Sequence, residues 1–221
     1  MQTTLRSRCE LRDATEADVE FVAWVMLAAS RSHLPRGIWE YLYDFSEEQA
    51  LEFLRGVTVT DTVHLFHHSL FLIAEVDGEP AAAMCGYDPE SQGFGAFVGD
   101  SARIASACGA DLESPDFASR SEVLMSGFPA ADVERPWVVE NVATAPAFRR
   151  QGLVDLLLRE QLARGRSRGF DVAQISVFLE NEPARRAYVK AGFEVVGEAR
   201  DPRFQDALGC PGAEVLLQRL A

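Results

Sequence analysis

Residues Phe148-Arg149-Arg150-Gln151-Gly152-Leu153-Val154 combine the features needed to hold phosphates. They follow an apolar, strand-like run at 137–143 and open a leucine-rich stretch with helical spacing. The first N–H groups of a helix lack intrahelical partners, and the helix dipole favours negative charge there. Arg149 and Arg150 add charge-assisted hydrogen bonds for phosphate oxygens. Gly152 lets the backbone approach a ligand closely. By itself the pattern is common, since many helices start after a glycine. It gains weight from a second run, Asn181-Glu182-Pro183-Ala184-Arg185-Arg186-Ala187-Tyr188-Val189-Lys190-Ala191-Gly192-Phe193, where an asparagine can cap a helix and a glycine can close it.

These residues need a scaffold, and the chain offers one. Residues 9–12 read as a short first strand, and Thr15 as the cap of a helix carrying Val19, Val22, Ala23, Met26 and Leu27. A second helix is expected over 46–54, capped by Ser46. Residues 69–76 and 80–87 form a hairpin through Asp77-Gly78. The long, irregular stretch at about 88–135 contains two helical segments, near 101–108 and 117–125, and is an insertion, a lid or a substrate loop. Strand 137–143, helix 152–168, strand 172–178, helix 181–191 and closing strands at 193–197 and 213–220 complete the order. Strand–helix–strand alternation here argues for an α/β mixed sheet around at least one parallel pair. Residues 1–221 are thus expected to form a single domain.

Composition narrows the function. The chain has 221 residues, 48% hydrophobic and 25% charged, as expected of a globular protein with a real core. Its net charge of −13 is uneven. Residues 1–135 hold 9 arginines against 23 carboxylates, whereas residues 136–221 hold 12 basic against 11 acidic side chains. No nucleic-acid partner is expected without a basic footprint. The basic half can host an anion, while the acidic half attracts a cation or simply keeps the protein soluble. No apolar run is long enough to span a bilayer, the longest candidate being 21–29. Met1-Gln2-Thr3-Thr4 lacks the layout of a signal peptide. Four scattered cysteines without a C-x-x-C pair suit a reducing cytosol, so a cytoplasmic location is expected. His64, His67 and His68 lack partners at metal-ligand spacing, so no metal is expected. Neither a Gly-x-Ser-x-Gly elbow nor a Walker-type phosphate loop is present.

The second half resembles the GNAT superfamily of N-acetyltransferases. Arg149 to Val154 falls on the family's Q/R-x-x-G-x-G/A signature, and Asn181 to Phe193 on its asparagine-started helix. The resemblance covers residues 137–198 well and the remainder by element order. It implies a GNAT-like acyl-CoA N-acyltransferase fold, with a central mixed, mostly antiparallel sheet flanked by helices. It further implies acetyl-CoA as co-substrate and direct transfer of acetyl to a primary amine in a ternary complex. Arg149, Arg150, Gln151, Gly152, Leu153 and Val154 would bind the diphosphate. The backbone of Val142, Ala143 and Thr144 would pair with the pantetheine arm. Asn181, Ala184 and Tyr188 would touch the cofactor from the second helix.

That reaction needs a base for the amine, an acid for the leaving thiolate and a donor for the thioester oxygen. Glu140 is the best-placed carboxylate; its alternative is a solvated or ion-paired strand residue. Tyr188 is the candidate acid, its alternative a packed core tyrosine. A backbone N–H near Asn141 or Val142 is the candidate donor. Trp24, Trp39, Tyr41 and Tyr43, with Asp44 and Glu47, would line an acceptor pocket or, more plainly, belong to core and surface. The acceptor is expected to be a small-molecule amine; a protein amine, a larger acyl group and a homodimer stay open. The rival reading is a non-catalytic GNAT-like module that binds CoA species or a protein partner. Its motive is Val154, where the family takes Gly or Ala, followed by the acidic Asp155.

Overall fold

The computed structural model describes residues 9–220. The expectation for Met1 to Thr4 lies outside them. Among the described residues seven strands form one sheet in the order β1-β2-β3-β4-β5-β7-β6. They are β1 (Cys9–Asp13), β2 (Phe71–Val76), β3 (Glu79–Tyr87), β4 (Trp137–Thr144), β5 (Val172–Phe178), β6 (Glu194–Arg200) and β7 (Gly212–Arg219). Every neighbouring pair is antiparallel except β4 and β5, which run parallel. The β2–β3 hairpin turns at Asp77 and Gly78, both at positive φ, as a two-residue turn that follows the strand twist requires.

Helices cover both faces. On one face lie α1 (Val19–Arg31), α2 (Ile38–Tyr43) and α3 (Glu47–Thr58). Ser46 begins α3 with a reciprocal cap: its Oγ accepts from the Gln49 N–H at 3.2 Å, and Gln49 Oε1 accepts from the Ser46 N–H at 3.0 Å. This side buries Val22, Met26, Phe53 and Leu54 against Ile73, Ala83, Cys85 and Val138 of the sheet. The opposite face carries α7 (Leu153–Ser167) and α8 (Glu182–Ala191). There Leu153, Leu157, Leu158 and Leu162 pack on Trp137, Val139, Ala173 and Ile175. The start of β4 is therefore apolar on both sides, which explains its unbroken run Trp137-Val138-Val139.

Besides α2, which was not expected from the sequence, two corrections follow. Residues 88–135 hold three helices rather than two short segments: α4 (Pro89–Gln92), α5 (Phe94–Ala107) and α6 (Pro115–Ser126). In α5 the apolar stripe begins at Phe97 and continues to Ile104 and Ala105, which join the core beside α3. Glycines at 95 and 99 obscure that stripe in sequence. A further helix, α9 (Pro202–Leu208), lies between β6 and β7. Its start is nonetheless written locally: Asp201 Oδ1 accepts from the Arg203 N–H at 2.7 Å, and Pro202 occupies the first turn. Phe204 and Leu208 of α9 join Leu124 of α6 and Phe178 of β5 in a small third core.

Candidate active site

β4 and β5 part company midway. Their parallel pairing covers Trp137↔Ala173, Val138↔Gln174 and Val139↔Ile175, then stops. From there β5 stays with β7 as far as Phe178↔Ala213. β4 stays with β3 as far as Ala82↔Thr144. A bulge drives the divergence. Cys85 opposes Glu140 and Ala83 opposes Ala143, so Asn141 and Val142 together face Met84. Asn141 takes the left-handed conformation, with φ 53°. An extra residue of this kind bends its strand and increases its twist. The edge of β4 from Glu140 to Thr144 is thereby left without β5. Val142, Ala143 and Thr144 stand on that edge and are half-buried.

β4 then runs into the basic turn. A single 3₁₀ turn, Pro146–Phe148, leads to Arg149 in extended conformation, Arg150 at φ 61° and Gly152 at φ 80°. Gly152 sits immediately before α7, and among the described residues no side chain caps the helix there. Among the described residues no hydrogen-bond partner takes up the first amides of α7. Among the described residues other than its chain neighbours, no atom lies within 4 Å of where a Gly152 β-carbon would stand, so the approach is open. Arg149 and Arg150 are exposed. Arg149 Nε reaches the Thr144 carbonyl at 3.3 Å, and Gln151 Nε2 reaches that of Ala147 at 3.3 Å, bracing the turn against β4. Leu153 is buried and anchors the turn from below. Val154 packs, half-buried, against the same core as Tyr188 and Leu157. Asp155 is ion-paired with Lys190 of α8.

α8 closes the third side. Asn181 caps it, with Oδ1 accepting from the Ala184 N–H at 3.3 Å. Its Nδ2 donates to Ser32 Oγ at 2.6 Å, tying the helix to the end of α1. Gly192, at φ 102°, ends α8 in the left-handed form. Ala184 and Tyr188 face the core that also takes Val142 and Val154. Tyr188 is buried, and burial raises its hydroxyl above the ordinary tyrosine value. The turn, the free edge of β4 and α8 thus meet around one apolar patch.

Glu140 lies on the other face. It alternates with Val139 and shares the α1 side with Val138, Cys85 and Tyr87. Among the described residues no lysine or arginine pairs with it. Burial raises its pKa to about 7, a rise partly offset by a hydrogen bond from the Tyr87 hydroxyl. Sequence reasoning missed Tyr87. Nothing at the end of β3 announces it; the strand register alone sets it diagonal to Glu140. Ser32 was missed for the same reason, since its partner is remote in sequence.

The four aromatic residues do not line one pocket: Trp39 and Tyr43 stack at 6.4 Å in the α1-side core, which Trp24 also joins, while Tyr41 packs in the third core. Trp39 is buried in the core, edge-on to Phe66 at 5.0 Å. Tyr43 stacks on Phe117 at 5.8 Å, beside a shallow cleft of about 260 Å³ that Asp44 and Arg120 also line. Glu47 pairs with Arg31 at 2.8 Å, and Asp44 with Arg36 at 3.0 Å. The histidines serve the fold: His64 Nδ1 accepts from the Phe66 N–H at 3.2 Å and burial lowers its pKa to about 4. Among the described residues no three His, Cys, Asp or Glu side chains converge as metal ligands, and no helix is long and apolar enough to cross a membrane.

Comparison with known proteins fits this geometry. The model of the acetyltransferase (GNAT) family matches residues 33–193. A solved acetyltransferase aligns over 96% of this chain and 100% of its own, with TM-score 0.67 and 19% identity. An N-acetyltransferase from Staphylococcus aureus Mu50 aligns over 94% and 99%, with TM-score 0.61 and 18% identity. A putative acetyltransferase from Salmonella typhimurium, solved with its cofactor acetyl-CoA, aligns over 97% and 95%, with TM-score 0.52 and 13% identity. These likenesses establish the fold. Among curated proteins no match is found.

Proposed function

The chain belongs to the GNAT acetyltransferase family, and on that premise we propose that it transfers acetyl from acetyl-CoA to a primary amine, one carried by a small molecule. The carrying observation is the gap that opens after Val139↔Ile175 and ends at an uncapped, arginine-lipped helix start. Residues 1–221 are read as one domain, with 88–135 as an insertion.

The residues present suit the co-substrate. A strand edge without a partner offers N–H and C=O groups to the amides of a pantetheine arm, at Val142, Ala143 and Thr144. The amides of Leu153 and Val154, with Arg149 and Arg150, suit a diphosphate. Gln151 and Gly152 complete the turn, and Asn181 and Ala184 bound the gap from α8. Bound there, acetyl-CoA would supply an activated acyl group. Glu140 takes a proton from the amine on the α1 side. Tyr188 returns one to the departing sulfur on the α7–α8 side; its raised affinity for protons keeps it protonated at neutral pH. A backbone N–H at Asn141 or Val142 meets the thioester oxygen.

Two observations weaken the motive for the non-catalytic reading. Val154 turns toward the core, and the charge of Asp155 is offset by Lys190. Release of free CoA thiol, followed with acetyl-CoA and a panel of primary amines, tests the proposal. Amine-dependent release is expected. Acetyl-CoA binding without release for any amine would favour the module that binds CoA species.

A further inference from the structure

The bulge in β4 leaves one polar atom without a protein partner. Asn141 Nδ2 is buried and makes no hydrogen bond among the described residues. Four other buried polar atoms share that condition: Trp39 Nε1, Trp137 Nε1, Gln161 Oε1 and Gln218 Oε1. Their places are structural. Trp39 lies in the α1-side core, Trp137 and Gln161 crowd Gly86, and Gln218 lies under Gly192. Asn141 alone of the five stands where β4 leaves β5.

A buried N–H donor with no acceptor costs free energy. The positive φ of Asn141 does not require that cost, because glycine adopts the same conformation with no side chain to satisfy. The left-handed turn accounts for an asparagine here but not for an amide left unpaired. Its neighbours indicate a ligand role. Asn141 adjoins Glu140, the group that would take the amine's proton. It is two residues past Val139, the last residue of β4 paired with β5. The remaining free edge, from Val142 to Thr144, leads away toward the phosphate-binding turn. The reacting carbonyl must sit near the base, and the pantetheine amides must sit between it and the turn.

Resting on the acetyl-CoA reading, we propose that the Asn141 side-chain amide donates a hydrogen bond to the thioester carbonyl oxygen, supplementing the backbone donor. A fixed dipole aimed at an oxygen that gains charge stabilises the transition state more than the ground state.

Two substitutions test this without disturbing the bulge. Asn141→Gly keeps the positive φ and deletes the amide; Asn141→Asp keeps the size and replaces the donor with an acceptor. Calorimetric titration with acetyl-CoA and with CoA separates the carbonyl from the rest of the ligand. In Asn141→Gly, CoA affinity should stay at the parent value, while acetyl-CoA affinity falls about fivefold and kcat about 10- to 100-fold. Asn141→Asp should lose more of both acetyl-CoA quantities, again sparing CoA. Thermal melts confirm that both variants are folded. Parent-like acetyl-CoA affinity and kcat in Asn141→Gly would reduce Asn141 to a turn residue and overturn the proposal. Equal losses for CoA and acetyl-CoA would move the donor to the pantetheine arm and overturn it too. A parent protein that binds neither ligand would remove the acetyl-CoA reading itself.

Discussion

Glu40 and Glu140 share a side chain and differ in what surrounds it. Glu40, in α2, is buried, and its oxygens are taken by Arg31 at 2.6 and 3.0 Å and by the Gly37 N–H at 2.8 Å. Burial pushes its pKa up, but these partners outweigh burial and the net direction is down. Glu140, in β4, meets burial with a tyrosine hydroxyl as its favourable partner and holds its proton to about pH 7. The first carboxylate is a fastening; the second is poised to exchange a proton. A similar contrast separates paired charges from the basic turn. Several acids of the first half are tied to arginines, as in Arg12–Asp18, Arg31–Glu47 and Arg36–Asp44. Arg149 and Arg150, at the basic turn, form no ion pair among the described residues. Net charge alone does not reveal this, because it sums groups that are already neutralised together with groups that are free.

The contrast can be broken in several ways. The largest effect should come from Glu40→Ala, which leaves the Gly37 N–H without its acceptor and Arg31 with Glu47 alone. We expect a loss of about 2–3 kcal/mol by denaturant unfolding, with activity per folded molecule unchanged. Tyr188→Phe should do the reverse, lowering kcat about 100-fold or more while stability and acetyl-CoA affinity hold. Parent-like turnover would make Tyr188 a packing residue.

The two glutamates should also respond oppositely to pH. Glu140 has a folded pKa above the ordinary carboxylate value of 4.5. Its contribution to stability is full below that value and is lost as pH rises through about 7. Activity should climb over the same interval as the carboxylate forms. Glu140→Gln should lower kcat/KM about 10- to 100-fold and flatten that limb. Glu40 has a lowered pKa, so its stabilisation is present above the unfolded value and is lost on acidification below it. Smallest of all, Asp44→Asn should change stability by about 1 kcal/mol or less, because the Asp44–Arg36 pair is exposed. A large rise in KM for a cationic amine in that variant would return the Tyr43–Phe117 cleft to consideration as the acceptor site.

Much of the candidate site was legible because its determinants are local. Strand, basic turn, glycine and helix start follow one another in the chain, so Arg149 to Leu153 could be placed by order alone. Asn181 and Gly192 announce the ends of α8 by their chemistry. Residues brought together by register stayed hidden. Tyr87 reaches Glu140 across a strand pair, and Ser32 reaches Asn181 from a helix end far away. The β4 bulge was invisible as well, since Asn141-Val142 reads as ordinary strand until Met84 is seen to oppose both. Short α2 and α9 escaped because their apolar faces are one turn long and are completed by neighbours, among them Phe178, Leu124 and Phe128.

The central claim is that the uncapped turn at Gly152 and the free edge of β4 hold acetyl-CoA. Calorimetric titration of the parent beside Gly152→Asp tests it most directly. Asp at this position adds a negative charge beside the expected diphosphate, in a space that is otherwise open. The account predicts saturable binding to the parent, weakened about 100-fold or more in the variant, with both proteins folded by circular dichroism. Equal affinities in the two proteins would place the ligand elsewhere and contradict it.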